Sequence, residues 1–253
     1  MNLSAKVIVI TGAAGGLGSE MAKDFANHGA RLALIDMTED ALQDIVAELK
    51  QSGADVKAYG ANVTDEADVE RTFEQIASDF DGIDGLVNNA GILRDGMFVK
   101  AKDGEVTAKM SLQQFQSVID VNLTGVFLCG REASVQMIKH NRKGVIINMS
   151  SIARQGNMGQ TNYSASKAGV VAMTVTWARE LGRHGIRVGA IAPGVIKTAM
   201  TDAMKPEMRE RLEKMKPVGR LGQAEEIAHT ARYIFENDFF TGRVVEIDGG
   251  LAM

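Results

Sequence analysis

The sequence predicts an α/β fold: one domain built on a doubly wound parallel sheet of about seven strands, with helices on both faces. Short β-branched and apolar runs alternate with amphipathic helical stretches along almost all 253 residues, which is the pattern of strands joined by helical crossovers. Several strand runs are continuously apolar, as expected when both faces of a strand are buried. Parallel neighbours need right-handed crossovers, which favours a doubly wound sheet.

Seven runs are predicted as strands because they are short, rich in β-branched residues and separated from one another by helical stretches. In chain order they cover residues 6–10, 31–35, 55–59, 85–88, 145–149, 186–191 and 244–247. Six stretches between and after them carry apolar residues at helical spacing and are predicted as helices. These cover residues 17–28, 39–51, 67–79, 111–139, 163–183 and 224–236. No repeat or Pro-rich linker interrupts the series, so residues 1–253 are expected to form one domain.

Two longer segments interrupt the alternation and are predicted to be substrate loops. Residues 94–110 are charge-rich, and the Asp103-Gly104 pair predicts a hairpin turn. Residues 196–218 are helical in pattern and contain several methionines, which suit an adaptable apolar pocket but are also common in an ordinary core. Connections of this length are usually lids or binding loops. Both segments leave the carboxyl edge of the sheet, where open α/β sheets bind ligands.

Composition and charge narrow the possible partners. The chain has 28 Lys and Arg against 32 Asp and Glu, a net charge of −4, so it offers no basic field for nucleic acid or for an acidic membrane. No stretch approaches the roughly 20 apolar residues of a membrane span. One cysteine, Cys129, excludes an internal disulfide and suits a reducing compartment. We therefore expect a cytoplasmic protein with a small-molecule substrate, and no metal site is predicted.

A glycine-rich turn follows the first strand. Gly12, Gly16 and Gly18 allow a tight turn and a close approach of the backbone to a pyrophosphate, and Leu17 opens the helix that follows. The free N–H groups at that helix start favour phosphate. A plain strand-to-helix connection is the alternative.

Asp36 ends the second strand, 20 residues after Gly16. A carboxylate at this place can accept hydrogen bonds from an adenosine ribose diol, and its charge would repel a 2′-phosphate. Met37 follows it, and Gly15 precedes Gly16, so the two obvious positions for a phosphate-binding Arg are unoccupied. The sequence therefore favours NAD(H) over NADP(H). An N-cap or a solvated carboxylate is the alternative for Asp36 alone.

Tyr163 and Lys167 are four residues apart in a helical stretch and project from one helix face. An ammonium near a phenol favours the phenolate, so we expect Lys167 to lower the pKa of Tyr163 towards neutrality, as a general acid and base requires. A surface Tyr–Lys pair is the alternative. Upstream, Ser150 and Ser151 end a buried strand, where a serine can also serve as a cap. Asn122 lies in an apolar helical stretch and must find partners, either at a kink or in a site.

Together these residues resemble the short-chain dehydrogenases/reductases, and the resemblance covers essentially the whole chain. The matching motifs are Thr11-Gly12-x-x-x-Gly16-x-Gly18, Asn88-Asn89-Ala90-Gly91, Asn122, the strand-end serine, Tyr163-x-x-x-Lys167, and Pro193-Gly194 followed by Thr198. Six ordered motifs are far more specific than any one of them. The resemblance implies a Rossmann-type fold and hydride transfer between a nicotinamide and a carbonyl or secondary alcohol.

The resemblance also implies roles for single residues. Tyr163 would protonate the carbonyl oxygen during reduction, Lys167 would hold the nicotinamide ribose, and the serine would hydrogen-bond the substrate oxygen. Asn122 would hold a water that links Lys167 to solvent. Besides Tyr163 and Lys167, the implied cofactor-binding residues are Gly12, Gly16, Leu17, Gly18, Asp36, Asn62, Val63, Asn89, Ala90, Gly91, Pro193, Gly194, Ile196 and Thr198.

Two positions depart from the family pattern. Asn62 stands where the family usually has Asp, and its amide oxygen can still accept from an adenine amine. Ser151 lies 12 residues before Tyr163, whereas the family commonly shows 13, the count from Ser150. Ser151 is favoured as the catalytic serine because the end of a strand fixes geometry better than the length of a loop.

The segment 94–110 and the tail resemble those of NAD-using short-chain 3-hydroxyacyl-CoA dehydrogenases; the segment is longer than in bacterial 3-oxoacyl-carrier-protein reductases. The expected substrate is a 3-oxoacyl or 3-hydroxyacyl thioester, on CoA or an acyl carrier. A sterol, polyol or xenobiotic ketone or alcohol is the alternative, and an NAD-binding sensor or scaffold is the alternative outside enzymes. An extended-branch epimerase or dehydratase would need a further C-terminal domain, for which the roughly 60 residues after Pro193 leave no room. The family is usually tetrameric, so a homotetramer is expected.

Overall fold

Seven parallel strands form the central sheet, in the order β3-β2-β1-β4-β7-β8-β9, in a computed structural model that describes residues 1–197, 201 and 206–251. The strands are β1 (Val7–Thr11), β2 (Arg31–Asp36), β3 (Val56–Gly60), β4 (Gly85–Asn88), β7 (Val145–Met149), β8 (Arg187–Pro193) and β9 (Val244–Ile247). All seven were predicted from the sequence. Every pairing between neighbours is parallel, so the strands end at one common edge.

Helices cover both faces of this sheet, which confirms the predicted doubly wound architecture. They are α1 (Gly16–Asn27), α2 (Gln43–Gln51), α3 (Glu66–Phe80), α4 (Leu112–Ile119), α5 (Gly125–Lys139), α6 (Thr161–Leu181), α7 (Pro206–Lys214) and α8 (Ala224–Glu236). One buried cluster joins α1, α2 and α8 to the sheet, with Phe25 edge-on to Phe235. The other joins α3, α5 and α6 to the opposite face. No helix within residues 1–197 and 206–251 is long and apolar enough to cross a bilayer.

The single helix predicted over 111–139 is divided in the structure. α4 ends at Ile119, Asp120–Thr124 form a turn of π-helix, and α5 begins at Gly125. Asn122 is fully buried in the π-helical turn, and its side-chain amide bonds main chain outside the helix. Apolar periodicity did not reveal this break, because the turn is fixed by contacts with a distant segment of the chain. Such turns are frequent at functional sites.

The segment 94–110 contains a two-stranded antiparallel hairpin, β5 (Val99–Lys102) and β6 (Glu105–Lys109). Asp103 and Gly104 form its turn, and both have positive φ, +51° and +83°, as a type I′ turn requires. The hairpin predicted at this pair is confirmed. Every residue of the two strands is exposed, so the hairpin stands clear of the core.

The segment 196–218 contains α7, in agreement with its predicted helical pattern. Ile196 and Gly222 form an isolated parallel bridge, which fixes the start of the segment beside the chain that follows it. Thr198, Met200 and Met204 lie outside the described residues.

Candidate active site

Thr11 ties the end of β1 to the chain that leaves β4. Its hydroxyl oxygen accepts the N–H groups of Asn89, at 3.0 Å, and Ala90, at 3.1 Å. In return, the Asn89 side-chain amide donates to the carbonyls of Thr11, at 3.0 Å, and Gly12, at 2.8 Å. The structure therefore brings Gly12, Asn89 and Ala90 together at the carboxyl edge of the sheet.

The glycines of the first turn serve two different purposes. Gly12 has a φ of +65°, and a Cβ there would lie 2.8 Å from the Ala90 Cα; at Gly18 a Cβ would lie 2.3 Å from the Gly12 carbonyl oxygen. These two glycines allow close packing. Gly16, with a φ of +58°, and Gly15 have nothing within 4 Å of a Cβ position. Open space therefore lies above the start of α1.

That space fits the pyrophosphate of a dinucleotide. The first N–H groups of α1 have no partner within the helix, and their positive dipole end attracts anions. The Leu17 side chain packs against the core, so Leu17 contributes its main chain to this turn. A side chain at Gly16 would fill the space that the phosphates need.

The Asp36 carboxylate, at the end of β2, faces the same loop. One oxygen accepts the Ala14 N–H at 3.0 Å and the other accepts the Met37 N–H at 2.9 Å. The Met37 side chain is 62% exposed, and among the described ion pairs none involves Asp36. A fixed negative charge therefore lies next to the phosphate loop, where an adenosine ribose would follow the pyrophosphate.

Lys167 lies at the centre of the site, on α6. Its ammonium donates to the Met149 carbonyl at 2.7 Å and lies 5.6 Å above the Tyr163 ring centroid. A Cβ at Gly91 would be 3.7 Å from this ammonium and 3.3 Å from the Asn122 amide oxygen, so β4, the π-helical turn and α6 converge here. Burial lowers the pKa of Lys167 to about 8, because the charged form loses its hydration.

The Ser151 hydroxyl lies near the Tyr163 hydroxyl. Burial raises the pKa of Tyr163 above its usual value. The nearby Ser151 hydroxyl acts to lower this pKa, and the charge of Asp95 raises it further. The prediction that Lys167 brings the Tyr163 pKa towards neutrality is therefore wrong for the protein alone. Lys167 donates to the Met149 carbonyl instead of the phenol, and burial of the phenol is the largest influence on its pKa.

The two strand-end serines have different surroundings. Ser150 is buried, and its hydroxyl donates to the Lys167 carbonyl at 2.9 Å. Ser151 is half-buried; its oxygen accepts the Ala153 N–H at 3.1 Å, which leaves its own O–H free to donate. Of the two, Ser151 is the serine that meets Tyr163.

Asn122 uses its whole side chain to hold the chain after β4. Its amide nitrogen donates to the Ile92 carbonyl at 3.0 Å, and its amide oxygen accepts the Ile92 N–H at 2.8 Å. A buried amide satisfied on both sides is rigid. The Asn122 side chain is therefore occupied by Ile92, and the water link to Lys167 stays a prediction.

Two residues expected near adenine are held by local contacts. The Asn62 amide oxygen accepts from the N–H of Thr64, at 3.1 Å, and from its hydroxyl, at 2.9 Å. Val63 is buried, and a Cβ at Gly125 would lie 3.0 Å from its methyl group. The adenine amine would have to compete with Thr64 for the Asn62 oxygen, so this contact stays a prediction.

The end of β8 forms the far wall of the site. The chain turns at Pro193-Gly194, where the Gly194 N–H donates to the Ile247 carbonyl at 2.8 Å, and a Cβ on Gly194 would lie 2.7 Å from the Asp248 Cα. Ile196 is buried against Gly222. Thr198, the other residue expected to hold the carboxamide, is outside the described residues.

Asn162 was not singled out in the sequence, although it directly precedes Tyr163. It is fully buried; its amide nitrogen donates to the carbonyls of Arg94, at 2.9 Å, and Gln114, at 3.2 Å, and its oxygen accepts the Tyr163 N–H at 2.8 Å. It thereby joins the segment 94–110, α4 and the start of α6. In a sequence, an Asn at a helix start is most simply interpreted as a cap. Its contacts with Arg94 and Gln114 could not be predicted from that position alone.

Comparisons with known proteins agree with this geometry. Residues 12–252 match a family described as enoyl-(acyl carrier protein) reductase, one of the short-chain dehydrogenase/reductase families. The chain belongs to the short-chain dehydrogenases/reductases. It is 41% identical to 3-oxoacyl-[acyl-carrier-protein] reductase FabG of Thermotoga maritima, with all of both chains covered.

Two further relatives agree. The 3-oxoacyl-[acyl-carrier-protein] reductase of Synechocystis is 39% identical, with 99% of this chain and 98% of that protein covered. A crystal structure of a short-chain type dehydrogenase/reductase from Mycobacterium marinum is 32% identical, with a TM-score of 0.88 over 99% of this chain and 97% of the other. As a member of this family, the protein is an oxidoreductase that binds a nicotinamide cofactor, which the open phosphate loop fits.

Proposed function

We propose that the protein is an NAD(H)-dependent oxidoreductase that interconverts a 3-oxoacyl thioester and the corresponding 3-hydroxyacyl thioester. The observation that carries the proposal is that the hydroxyl groups of Ser151 and Tyr163 lie together beside the buried ammonium of Lys167. Two hydroxyl groups that meet at one point can hold one carbonyl oxygen between them, and one of them can supply its proton.

The protein's part in the reaction follows from these contacts. The bound nicotinamide supplies or accepts the hydride. Ser151 donates to the substrate carbonyl oxygen, because its own oxygen is already fixed by Ala153. Tyr163 donates its proton to the same oxygen as the alcohol forms, and it takes that proton back in the reverse direction. Lys167 keeps a positive charge beneath the Tyr163 ring and so favours the phenolate that is left behind.

Preference for NAD(H) rests on Asp36. Its carboxylate is fixed by two main-chain N–H groups beside the phosphate loop, so a 2′-phosphate would meet a negative charge that cannot swing away. Removal of that charge should weaken the preference for NADH over NADPH. We expect Asp36→Asn to lower the NADH to NADPH ratio of kcat/KM by about tenfold, or about 1.4 kcal/mol.

Preference for a thioester substrate rests on the relatives. The two bacterial relatives compared above are named as 3-oxoacyl-carrier-protein reductases, whereas the matching family is described by enoyl reduction. Ser151 and Tyr163 favour reduction of a 3-oxo group over reduction of an enoyl double bond, because both hydroxyl groups can hydrogen-bond to a carbonyl oxygen on the reacting carbon. The carrier, CoA or acyl carrier protein, and the expected homotetramer and cytoplasmic location belong to the same proposal.

The first experiment follows NADH and NADPH oxidation in parallel, with acetoacetyl-CoA, crotonyl-CoA and a panel of simple ketones. Turnover of acetoacetyl-CoA with NADH preferred, and none of crotonyl-CoA, is the expected result. Preference for NADPH would overturn the Asp36 argument. Activity on simple ketones alone would move the substrate to another ketone or secondary alcohol.

The mechanism is tested with Tyr163→Phe. We expect NADH binding, measured by fluorescence, to stay near that of the unaltered protein, and turnover to fall by at least about a hundredfold, since a general acid commonly contributes 10²–10⁴-fold. Tyr233→Phe is the control, because Tyr233 lies on α8, where its hydroxyl accepts from Asn237 just after the helix. Retained turnover in Tyr163→Phe would reject the assignment, and tight NADH binding without turnover of any substrate by the unaltered protein would favour a sensor.

A further inference from the structure

Arg154 is a largely buried cation next to the candidate site. It lies in the short 3₁₀ turn Ile152–Gln155 that begins directly after Ser151, and only 14% of its side chain is exposed. A charged side chain this deep needs partners, since an unpaired buried charge is strongly destabilising. The contacts of its guanidinium therefore indicate what Arg154 does.

The guanidinium connects the serine to the edge of the sheet. One nitrogen donates to the Ser151 carbonyl at 3.3 Å, and another is paired with the Glu246 carboxylate on β9. The Ser151 carbonyl also accepts the Arg154 main-chain N–H at 3.1 Å. Because β9 pairs with β8, and Glu246 lies opposite Ala192, the serine is tied to the same strands that form the far wall of the site.

We propose that Arg154, held by Glu246, is a positioning residue that fixes the Ser151 main chain so that the Ser151 hydroxyl points at Tyr163 and at the substrate carbonyl oxygen. This inference rests on the proposed function. Within the described part of the chain, the Ser151 hydroxyl oxygen accepts one N–H, that of nearby Ala153. The contact of Ser151 with more distant residues is made through its main-chain carbonyl, which accepts from the Arg154 guanidinium. Arg154 makes this contact and links Ser151 to Glu246 on β9.

Arginine is suited to this role because its planar fork donates in two directions at once, whereas a lysine offers one ammonium point. Arg154→Lys keeps the charge and most of the buried stem, but one ammonium group does not span both Ser151 and Glu246. Glu246→Gln keeps the shape of the partner and removes its charge. Each variant should weaken the contacts that position Ser151, while a side chain of similar size still fills the same space.

The expected effect is on the chemical step. With acetoacetyl-CoA and NADH, Arg154→Lys should lower kcat about ten- to a hundredfold, since a displacement of about 1 Å in a reacting group can cost 10²-fold. Binding of NADH should stay within about twofold, because the group that changes touches the serine and not the phosphate loop. Glu246→Gln should act in the same direction with a smaller effect.

Arg31→Lys is the matched control. Arg31 also joins a carboxylate, Asp55 at 2.7 Å, to a main-chain carbonyl, Phe80 at 3.3 Å, but it lies at the start of β2, at the opposite edge of the sheet. We expect it to leave kcat unchanged. An equal loss of kcat in Arg31→Lys and Arg154→Lys would show a general effect on the fold and overturn the proposal.

A double-mutant cycle with Ser151→Ala separates positioning from a merely structural role. If Arg154 acts through the Ser151 hydroxyl, Arg154→Lys should have almost no further effect on the residual rate of Ser151→Ala. A structural role would lower the rate by the same factor in both backgrounds, and that result would reject the proposal.

A readout without turnover keeps this inference distinct from the proposed function. Crystal structures of the unaltered protein and of Arg154→Lys should show the Ser151 hydroxyl on Tyr163 in the first and displaced from it in the second. An unmoved hydroxyl would overturn the proposal even if the enzyme is active. If acetoacetyl-CoA is not a substrate, the proposed substrate fails, and the displacement of Ser151 still decides the role of Arg154.

Discussion

Burial acts on Lys167 and Tyr163 in the same direction, towards their uncharged forms. The pKa of Lys167 falls to about 8, and the pKa of Tyr163 rises. At neutral pH the site therefore holds an ammonium and an intact phenol, which is the protonation state that carbonyl reduction requires. The nearby Ser151 hydroxyl opposes the rise in the pKa of Tyr163, so we expect the serine to affect the acid as well as the substrate.

The lowered pKa of Lys167 predicts how stability depends on pH. Between pH 8 and the usual value of 10.5, the unfolded chain binds a proton at this residue that the folded chain does not, so the free energy of unfolding rises with pH in this window. From pH 7 to 9.5 the contribution is about 2 kcal/mol.

Urea unfolding of the unaltered protein and of Lys167→Met at both pH values measures this contribution. The variant should lack the increase that Lys167 causes, so from pH 7 to 9.5 the unaltered protein should gain about 2 kcal/mol of stability relative to the variant. Lys50→Met, at the exposed end of α2, is the control. Parallel pH profiles for the unaltered protein and Lys167→Met would contradict the assigned pKa.

At the scale of elements, the π-helical turn between α4 and α5 joins a helix to a loop. Asn122 in this turn satisfies both the N–H and the carbonyl of Ile92, so the chain after β4 is fixed from the helix side. The same chain is fixed from the strand side by Thr11. The Gly91 region is therefore held at both ends beside Lys167.

Replacement of Asn122 by Ala should release one of these ends. Two main-chain groups of Ile92 lose their partners, and we expect a loss of about 2 kcal/mol in the free energy of unfolding, since an unsatisfied buried group costs about 1–3 kcal/mol. Thermal or urea unfolding measures the loss. Asn157→Ala, in an exposed turn, should change stability by less than about 0.5 kcal/mol, and equal effects of the two changes would contradict the role of the turn.

The β5–β6 hairpin is an element that the core does not need. The Met110 N–H donates to the Phe98 carbonyl at 3.0 Å, so a two-residue Asn-Gly turn can replace residues 99–109 without moving their flanks. Because all residues of both strands are exposed, the melting temperature should change by less than about 2 °C.

The same deletion tests the role of this segment as a substrate loop. If it contacts the carrier of a thioester, KM for acetoacetyl-CoA should rise at least about threefold, while kcat/KM for a small ketone stays unchanged. An unchanged KM for the thioester would show that the hairpin does not contribute to substrate binding.

At the scale of the whole molecule, α6 carries apolar side chains that remain partly exposed in a single copy of the chain. Val171, Met173 and Val175 are of intermediate burial, whereas Val170 and Thr174 are buried against the sheet. On α5, Phe127 and Ile138 are exposed. Apolar surface on two neighbouring long helices is what an interface between copies would bury.

A homotetramer is therefore the expected assembly. Light scattering at micromolar concentration should give about four times 27.2 kDa, and Val171→Glu should lower that mass because a carboxylate would be buried at the interface. Glu180→Lys, at the exposed end of α6, is the control. A mass of 27.2 kDa for the unaltered protein would reject the expectation.

Local patterns were sufficient to predict the sheet, because continuous apolar runs, glycine turns and helical periodicity are properties of neighbouring residues. The seven strands of the sheet and the Asp103-Gly104 turn follow from such patterns. The motif around Tyr163 and Lys167 likewise indicated a site, because its spacing on one helix is local. The family could be predicted from the sequence for the same reason.

Contacts between distant segments were decided only by the tertiary structure. The division of the helix at Asn122 depends on Ile92, 30 residues away, and the anchoring of Ser151 depends on Glu246, whose partner Arg154 is 92 residues away. The direction of the Tyr163 pKa depends on how much water the fold removes from the phenol, a quantity that no local spacing contains. The sequence by itself determined the fold and the family, and packing determined which side chains meet and how they titrate.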